Sequence, residues 1–320
     1  MSYYKKLFSF NKTILAPMEA VNCASFRVLC KEYGAGLIYT DMIDTKQFLD
    51  KLQETKDEQE TIRQIINPQK DEQPLTVQLG SGEPDDVALV TQIVDKYAHQ
   101  IDLNVGCPLG YMLGRKGGAY MMKHPDKLTK IFSAIVDNAT KPVSAKIRSG
   151  WSDTEKNAPE IAKQLEHLGA SAIAIHARTR KQRYMARADW DMIKRVKESV
   201  SVPVIGNGDV LTGARAVTII GQTKCDAVMI GRGAQGNPHI FTQANNALAG
   251  ERYEETTWRE KCTSFNKFLQ LYEEREHRNK LSELQDHAGW WVNGEKNADT
   301  LRAKIRKTKS KEELRRIFHP

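Results

Sequence analysis

Short apolar runs recur along the first three quarters of the chain: Thr13–Ala16, Leu37–Thr40, Leu75–Leu79, Ile101–Val105, Val143–Ile147, Ala172–Ile175, Val202–Ile205 and Ala227–Ile230. They are brief and rich in β-branched residues, which predicts strands buried on both faces. The segments between them carry apolar residues at helical spacing. Asp86–Tyr97 does so through Val87, Val90, Ile93 and Val94, Pro125–Asn138 through Leu128, Ile131, Phe132 and Ile135, and Pro159–Leu168 through Ile161 and Leu165. Pro84, Pro125 and Pro159 sit near helix starts, where the missing N–H costs little. Asp44–Pro74 is long and charged and predicts a helix with an irregular excursion.

Eight strand–helix units over about 250 residues match the arithmetic of an α/β fold of the (β/α)8 TIM-barrel type. An open, doubly wound sheet is the alternative, because alternation alone does not establish closure. From Gly250 the pattern changes. Trp258–Arg275 has helical spacing, and Leu301–Phe318 reads as one basic helix with eight Lys or Arg against two acids between Arg302 and Arg316. The expected division is a barrel over residues 1–249 and a small C-terminal helical, basic domain over residues 250–320.

Composition narrows the function classes. With 320 residues, 40% hydrophobic and 28% charged, the chain is an ordinary globular one. Its net charge of +8 and pI of about 9.1 favour a polyanionic partner. No run approaches the roughly 18 apolar residues of a membrane span, and the N-terminus lacks the apolar core of a signal peptide. The cysteines are Cys23, Cys30, Cys107, Cys225 and Cys262, with no C-x-x-C pair. That excludes a disulfide framework and a zinc knuckle and makes a reducing, cytoplasmic setting the expectation. A monomer is the default.

In a parallel barrel the chemistry sits at the C-terminal ends of the strands. Those ends collect polar, glycine and cysteine residues here. Cys107 follows Asn104 on a Gly-Cys-Pro turn and suits a general acid or a nucleophile; the other four cysteines read as small core residues. Lys146 suits an anion or cofactor contact, or a Schiff-base nucleophile, and the neighbouring Arg148 favours an anionic ligand. His176 suits a base or a phosphate contact. No second ligand stands at metal spacing from it, so no metal is expected. The ends of strands seven (Asn207, Gly208, Asp209) and eight (Gly231, Arg232, Gly233) are glycine-rich, as phosphate-binding turns are. Gly231-x-Gly233-x-x-Gly236 formally matches a dinucleotide fingerprint, but no βαβ unit follows it.

At these positions the chain resembles the tRNA-dihydrouridine synthase family. The resemblance is carried by Ala16-Pro17-Met18, Asp102-Leu103-Asn104-Val105-Gly106-Cys107-Pro108, Lys146-Ile147-Arg148-Ser149-Gly150, His176-Ala177-Arg178-Thr179-Arg180, Gly206-Asn207-Gly208-Asp209 and Gly231-Arg232-Gly233-Ala234. It implies an FMN-containing barrel, a helical RNA-binding domain, and NADPH-dependent reduction of uridine to 5,6-dihydrouridine in tRNA. It implies that Ala16, Pro17 and Met18 line the flavin and that Gln78 and Lys146 meet the polar edge of its ring. His176, Asn207, Gly208, Asp209, Gly231 and Arg232 would hold its ribityl phosphate. Cys107 would be the proton donor. Asn104 and the helix residues Arg302, Lys304 and Arg306 would serve the RNA substrate, and Arg178 would contact the flavin phosphate or the RNA. Two departures stand out: Ala177 replaces the family's usual glycine, and the loop after Cys107 (Leu109–Gly114) lacks its usual lysines. Three other functions fit parts of the pattern: an FMN barrel acting on a free pyrimidine, a Schiff-base lyase built on Lys146, and a non-catalytic RNA-binding module.

Overall fold

The structure is a computed structural model that describes residues 3–277 and 280–319. Eight strands form as the apolar runs predict: β1 (Thr13–Leu15), β2 (Ile38–Asp44), β3 (Leu75–Gly80), β4 (Gln100–Asn104), β5 (Val143–Arg148), β6 (Ala172–His176), β7 (Val204–Asn207) and β8 (Ala227–Ile230). All pair in parallel, in the order β1-β8-β7-β6-β5-β4-β3-β2. The ring is completed where Leu15 N–H donates to the Leu37 carbonyl at 2.9 Å and Gly36 N–H to that of Thr13 at 2.8 Å. A TIM-type barrel is therefore the architecture, and the open sheet is set aside.

Strand register sorts the interior. Alternate residues face inward and fall into two halves. Ile14, Ala172, Ala174, Ile205, Ala227 and Met229 form an apolar half, all fully buried. Across from them Thr76, Gln78, Gln100, Asp102 and Ser144 form a polar half, equally buried. The N-terminal helix Tyr3–Phe10 places Tyr4 and Phe8 in the apolar cluster. That helix is absent from the sequence-based expectation, although Tyr4, Leu7 and Phe8 have helical spacing.

Between β2 and β3 stand two helices, Thr45–Thr55 and Glu58–Ile65, rather than one. Asp44 and Asp57 start them by accepting backbone N–H groups. The predicted basic helix Leu301–Phe318 is also two, Ala298–Lys307 and Lys311–Ile317. Ser310 begins the second by accepting Glu313 N–H at 3.2 Å, and the Gln285 amide holds Thr308 in the break. Helix Leu281–Trp291, unforeseen, lies between Trp258–Arg275 and these.

The C-terminal helices dock on the barrel helix Ala24–Glu32. Phe26 meets Phe268 and Trp291 edge-on, all three fully buried. Glu276 accepts the Ser25 N–H and hydroxyl at 2.8 and 2.9 Å. Among the described residues, no helix is long and apolar enough to cross a membrane.

Candidate active site

A cleft of about 310 Å³ opens at the C-terminal ends of the strands, within the range of small-ligand sites. It is lined by Ala16, Pro17, Met18, Gln78, Asn104, Cys107, Lys146, His176, Arg178, Asn207, Gly208, Asp209, Gly231 and Arg232. Those are all the barrel residues that the sequence nominated. Arg302, Lys304 and Arg306 lie outside it, on helix Ala298–Lys307.

On one side the cleft is polar. Asn104, the last residue of β4, accepts the N–H groups of Gly106 at 3.0 Å and Cys107 at 2.7 Å, which folds the Gly-Cys-Pro turn over the barrel end. Arg148 supports the same turn from β5 by donating to the Gly106 carbonyl at 2.6 Å. Cys107 is only 9% exposed. Burial pushes its thiol above the ordinary value, and nearby Glu19 adds to the effect, so the group stays protonated at neutral pH. Lys146 sits beside Asn104 in register. Among the described residues it has no carboxylate in ion-pair range, and burial followed by repulsion from Arg148 lowers its ammonium to about 8.

The opposite side is a pair of turns. Gly208 has φ +130° and Asp209 φ +56°. A β-carbon at Gly208 would come within 2.7 Å of that of Ala188, so the turn requires glycine. The N–H groups of Gly208, Asp209 and Gly231 donate to no protein acceptor among the described residues. A β-carbon added at Gly231 would stand against Ala16 and Met18 at 3.6 and 3.7 Å, inside the cleft.

Asp209 is already engaged. Arg178 grips its carboxylate at 2.6 and 2.8 Å, Arg232 reaches it at 3.1 Å, and Ala188 N–H donates at 2.8 Å. Against its desolvation, these contacts hold the carboxyl below its ordinary value. Arg178 is buried and also donates to the Ala186 carbonyl at 2.6 Å. His176 is buried, and desolvation with four nearby cations keeps its ring neutral. Asn207 donates to the Met229 carbonyl at 2.8 Å, tying β7 to β8.

The structure adds residues that received no role from sequence: Glu19, Tyr184, Leu211 and Met229 line the cleft. Tyr184 packs beneath the Arg232 guanidinium, 4.6 Å from its ring centre, and 5.9 Å from the His176 ring. Tyr184 falls in the stretch after His176 that carries the family resemblance, but the contacts that could give it a role come only with the fold. Away from the cleft, Cys23, Glu283 and His287 bring donor atoms within 4.8 Å of one another. That grouping joins two distant stretches of the chain, which a search for local metal spacing cannot see.

Comparison with known proteins agrees with this geometry. The family pattern described as dihydrouridine synthase (Dus) matches residues 14–319. A probable tRNA-dihydrouridine synthase of Rickettsia conorii is 34% identical over 298 residues, covering 91% of this chain and 87% of its own. The tRNA-dihydrouridine synthase B of Pasteurella multocida is 32% identical over 287 residues, covering 89% of this chain and 84% of its own. Among solved structures, histamine dehydrogenase from Rhizobium sp. 4-9 aligns with a TM-score of 0.52 at 11% identity, over 82% of this chain and 49% of that one, a likeness of fold alone. With its barrel, its cleft and a match spanning nearly its whole length, the chain belongs to the dihydrouridine synthase family.

Proposed function

We propose that this protein is an FMN-dependent tRNA-dihydrouridine synthase that uses NADPH to reduce the C5–C6 double bond of uridine in tRNA. One observation carries the reading. A protonated thiol opens into a single cleft together with an ammonium and two turns whose N–H groups, among the described residues, lack an ion-pair or hydrogen-bond partner respectively.

These residues fit a flavin mononucleotide. Ala16, Pro17 and Met18 offer a surface for a flat ring. Gln78 and Lys146 supply donors along its polar edge. His176, Asn207, Gly208, Gly231 and Arg232 suit the ribityl phosphate. Asp209 serves through its N–H, since its carboxylate is taken by Arg178 and Arg232. Bound FMN would supply the two-electron carrier between NADPH and uracil C6. Lys146, charged, would offset negative charge beside it. Cys107 would deliver the thiol proton to C5 and recover it from water, and Asn104 would hold its turn in place.

Arg178 is committed to Asp209 and to the Ala186 carbonyl, so its role here is to shape the phosphate turn. The target base is stacked in RNA and must flip into the cleft, at a cost of roughly a few kcal/mol. Residues 250–320 would bind the tRNA backbone. Lys304 and Arg306 are exposed and make no ion pair among the described residues, whereas Arg302 bonds Asp299 and Asn293.

The test is direct. Purified protein should show flavin bands near about 370 and 450 nm. It should also oxidise NADPH with formation of dihydrouridine in unmodified tRNA. A colourless protein, or one that turns over only a free pyrimidine, overturns the proposal.

A further inference from the structure

Asp102 lies in β4, one layer below the cleft, and is fully buried. Its carboxylate accepts the Ser144 hydroxyl at 2.6 Å and the Gln78 amide at 2.7 Å. The Gln78 carbonyl accepts the Asn104 amide at 2.8 Å. The Asn104 carbonyl in turn accepts the N–H groups of Gly106 and Cys107. The chain of bonds thus runs from the barrel interior to the turn that carries the thiol.

Its two ends have fixed polarity. Backbone N–H groups only donate, and an ionised carboxylate only accepts. Between such ends, each amide has one orientation that satisfies every bond: carbonyl toward the thiol turn, NH₂ toward Asp102. Inverting either amide sets like groups face to face and leaves buried polar atoms unpaired. The same orientation leaves Gln78 and Asn104 one N–H each for the cleft they line. A ring carbonyl placed there would meet donors.

We propose that Asp102 is a positioning residue: through Gln78 and Asn104 it fixes the polarity of the amide edge of the cleft and the seat of the Cys107 turn. Its effect on turnover rests on the function proposed above; its effect on the thiol turn does not.

The groups facing Asp102 are the Lys146 ammonium from β5, Tyr4 from the N-terminal helix and Tyr39 from β2. Burial raises its carboxyl to about 6, against the Ser144 and Gln78 hydrogen bonds and Lys146, which favour the ionised form. Asp102 is therefore an acceptor at neutral pH and loses that fixed polarity as pH falls through about 6.

The experiment reads two quantities in the flavin-loaded enzyme. One is the pH profile of kcat at saturating tRNA and NADPH. The other is the rate of Cys107 alkylation by iodoacetamide, located by peptide mass. The wild-type kcat should fall below about pH 6. Asp102→Asn should lower the plateau by about tenfold, the worth of one lost anchoring bond. It should leave the KM for tRNA within about twofold, because the defect lies after binding. It should also lose the acidic limb and quicken alkylation. Ser144→Ala removes a bond that favours the carboxylate and should move the limb to higher pH; it decides the matter if Asp102→Asn does not fold. An unaltered plateau and limb in Asp102→Asn, or an unmoved limb in Ser144→Ala, overturns the proposal. If neither protein acts on tRNA, alkylation still decides: a faster rate in Asp102→Asn supports the positioning role while the functional reading fails, and an unchanged rate overturns it.

Discussion

Lys146 is a cation with no ion-pair partner among the described residues, and its cost to the fold can be worked out. Burial first and Arg148 second bring its ammonium from 10.5 to about 8, with Asp102 giving only partial relief. Unfolding restores the ordinary value. Below about pH 8 both states are charged and the penalty is present in full. Between about 8 and 10.5 the unfolded chain binds more protons than the folded one, so stability rises with pH across that window. At about 1.36 kcal/mol per pH unit the penalty approaches about 3 kcal/mol. The ammonium borders the cleft, and water there trims the figure to about 2 kcal/mol.

Lys146→Met keeps the packing of the aliphatic stem and removes the charge. In flavin-free protein it should raise unfolding stability by about 2 kcal/mol at pH 7, an advantage that fades toward pH 10. On the function proposed above, turnover on tRNA should fall by about two orders of magnitude, because Lys146 is the group proposed to offset charge beside the flavin. Urea unfolding followed by circular dichroism at both pH values measures the first effect. The protein is stripped of flavin because a native-state ligand would add its own stabilisation. A variant no more stable than wild type at pH 7, or a difference identical at pH 7 and pH 10, refutes the account of Lys146 as strain retained for binding.

Cys107→Ala should keep its flavin, since the Asn104 carbonyl holds the turn through a backbone N–H. It should lower kcat by about 10²–10⁴, the usual worth of a positioned general acid; single-turnover flavin reoxidation by tRNA measures it, and a loss below threefold would remove the thiol from the mechanism. On the C-terminal helix, changing Lys304, Arg306 and Lys307 together to Glu should weaken tRNA binding at low salt. It should also flatten the plot of log affinity against log salt by about one unit per side chain. Unchanged binding would reject residues 250–320 as the RNA-binding part.

The barrel was legible because its signals are local. Eight runs such as Ala172–Ile175 carry their burial in their own composition, and the glycines and Cys107 fall at the strand ends where the fold puts chemistry. The partners of those residues were not legible. Arg178 and Asp209 are neighbours only because β6 and β7 pair, so the clamp between them has no sequence signature. Lys146 stood out at its strand end, but Asp102 read only as part of the Asp-Leu-Asn-Val-Gly-Cys-Pro stretch, and nothing local ties the two together. That Asp102 is buried opposite Ser144 and Lys146 stands beside Asn104 follows from the pairing of β4 and β5. The break in the basic helix at Thr308–Ser310 was missed for a different reason: apolar spacing persists across it, and the serine cap outweighs the spacing.

The apolar face between barrel and C-terminal helices bears on what residues 250–320 can do. Phe26, Phe268 and Trp291 are buried against one another, and Phe26 lies on the helix that follows the Pro17–Met18 loop lining the cleft. Gly236, just beyond the strand-eight turn, takes φ +66° against the backbone of Trp290 and Trp291, and any β-carbon there would fall within 2.5 Å of them. Two cleft-lining loops thus lead into segments that lean on the C-terminal helices. Removing those helices would expose large aromatic surfaces, at about 1.5–3 kcal/mol for each buried side chain, and would loosen both loops. A truncated barrel would then lose cofactor and RNA together, for reasons unrelated to RNA contact. Charge reversal on the exposed face of Ala298–Lys307 leaves that interface whole, which is why it, rather than truncation, separates binding from folding.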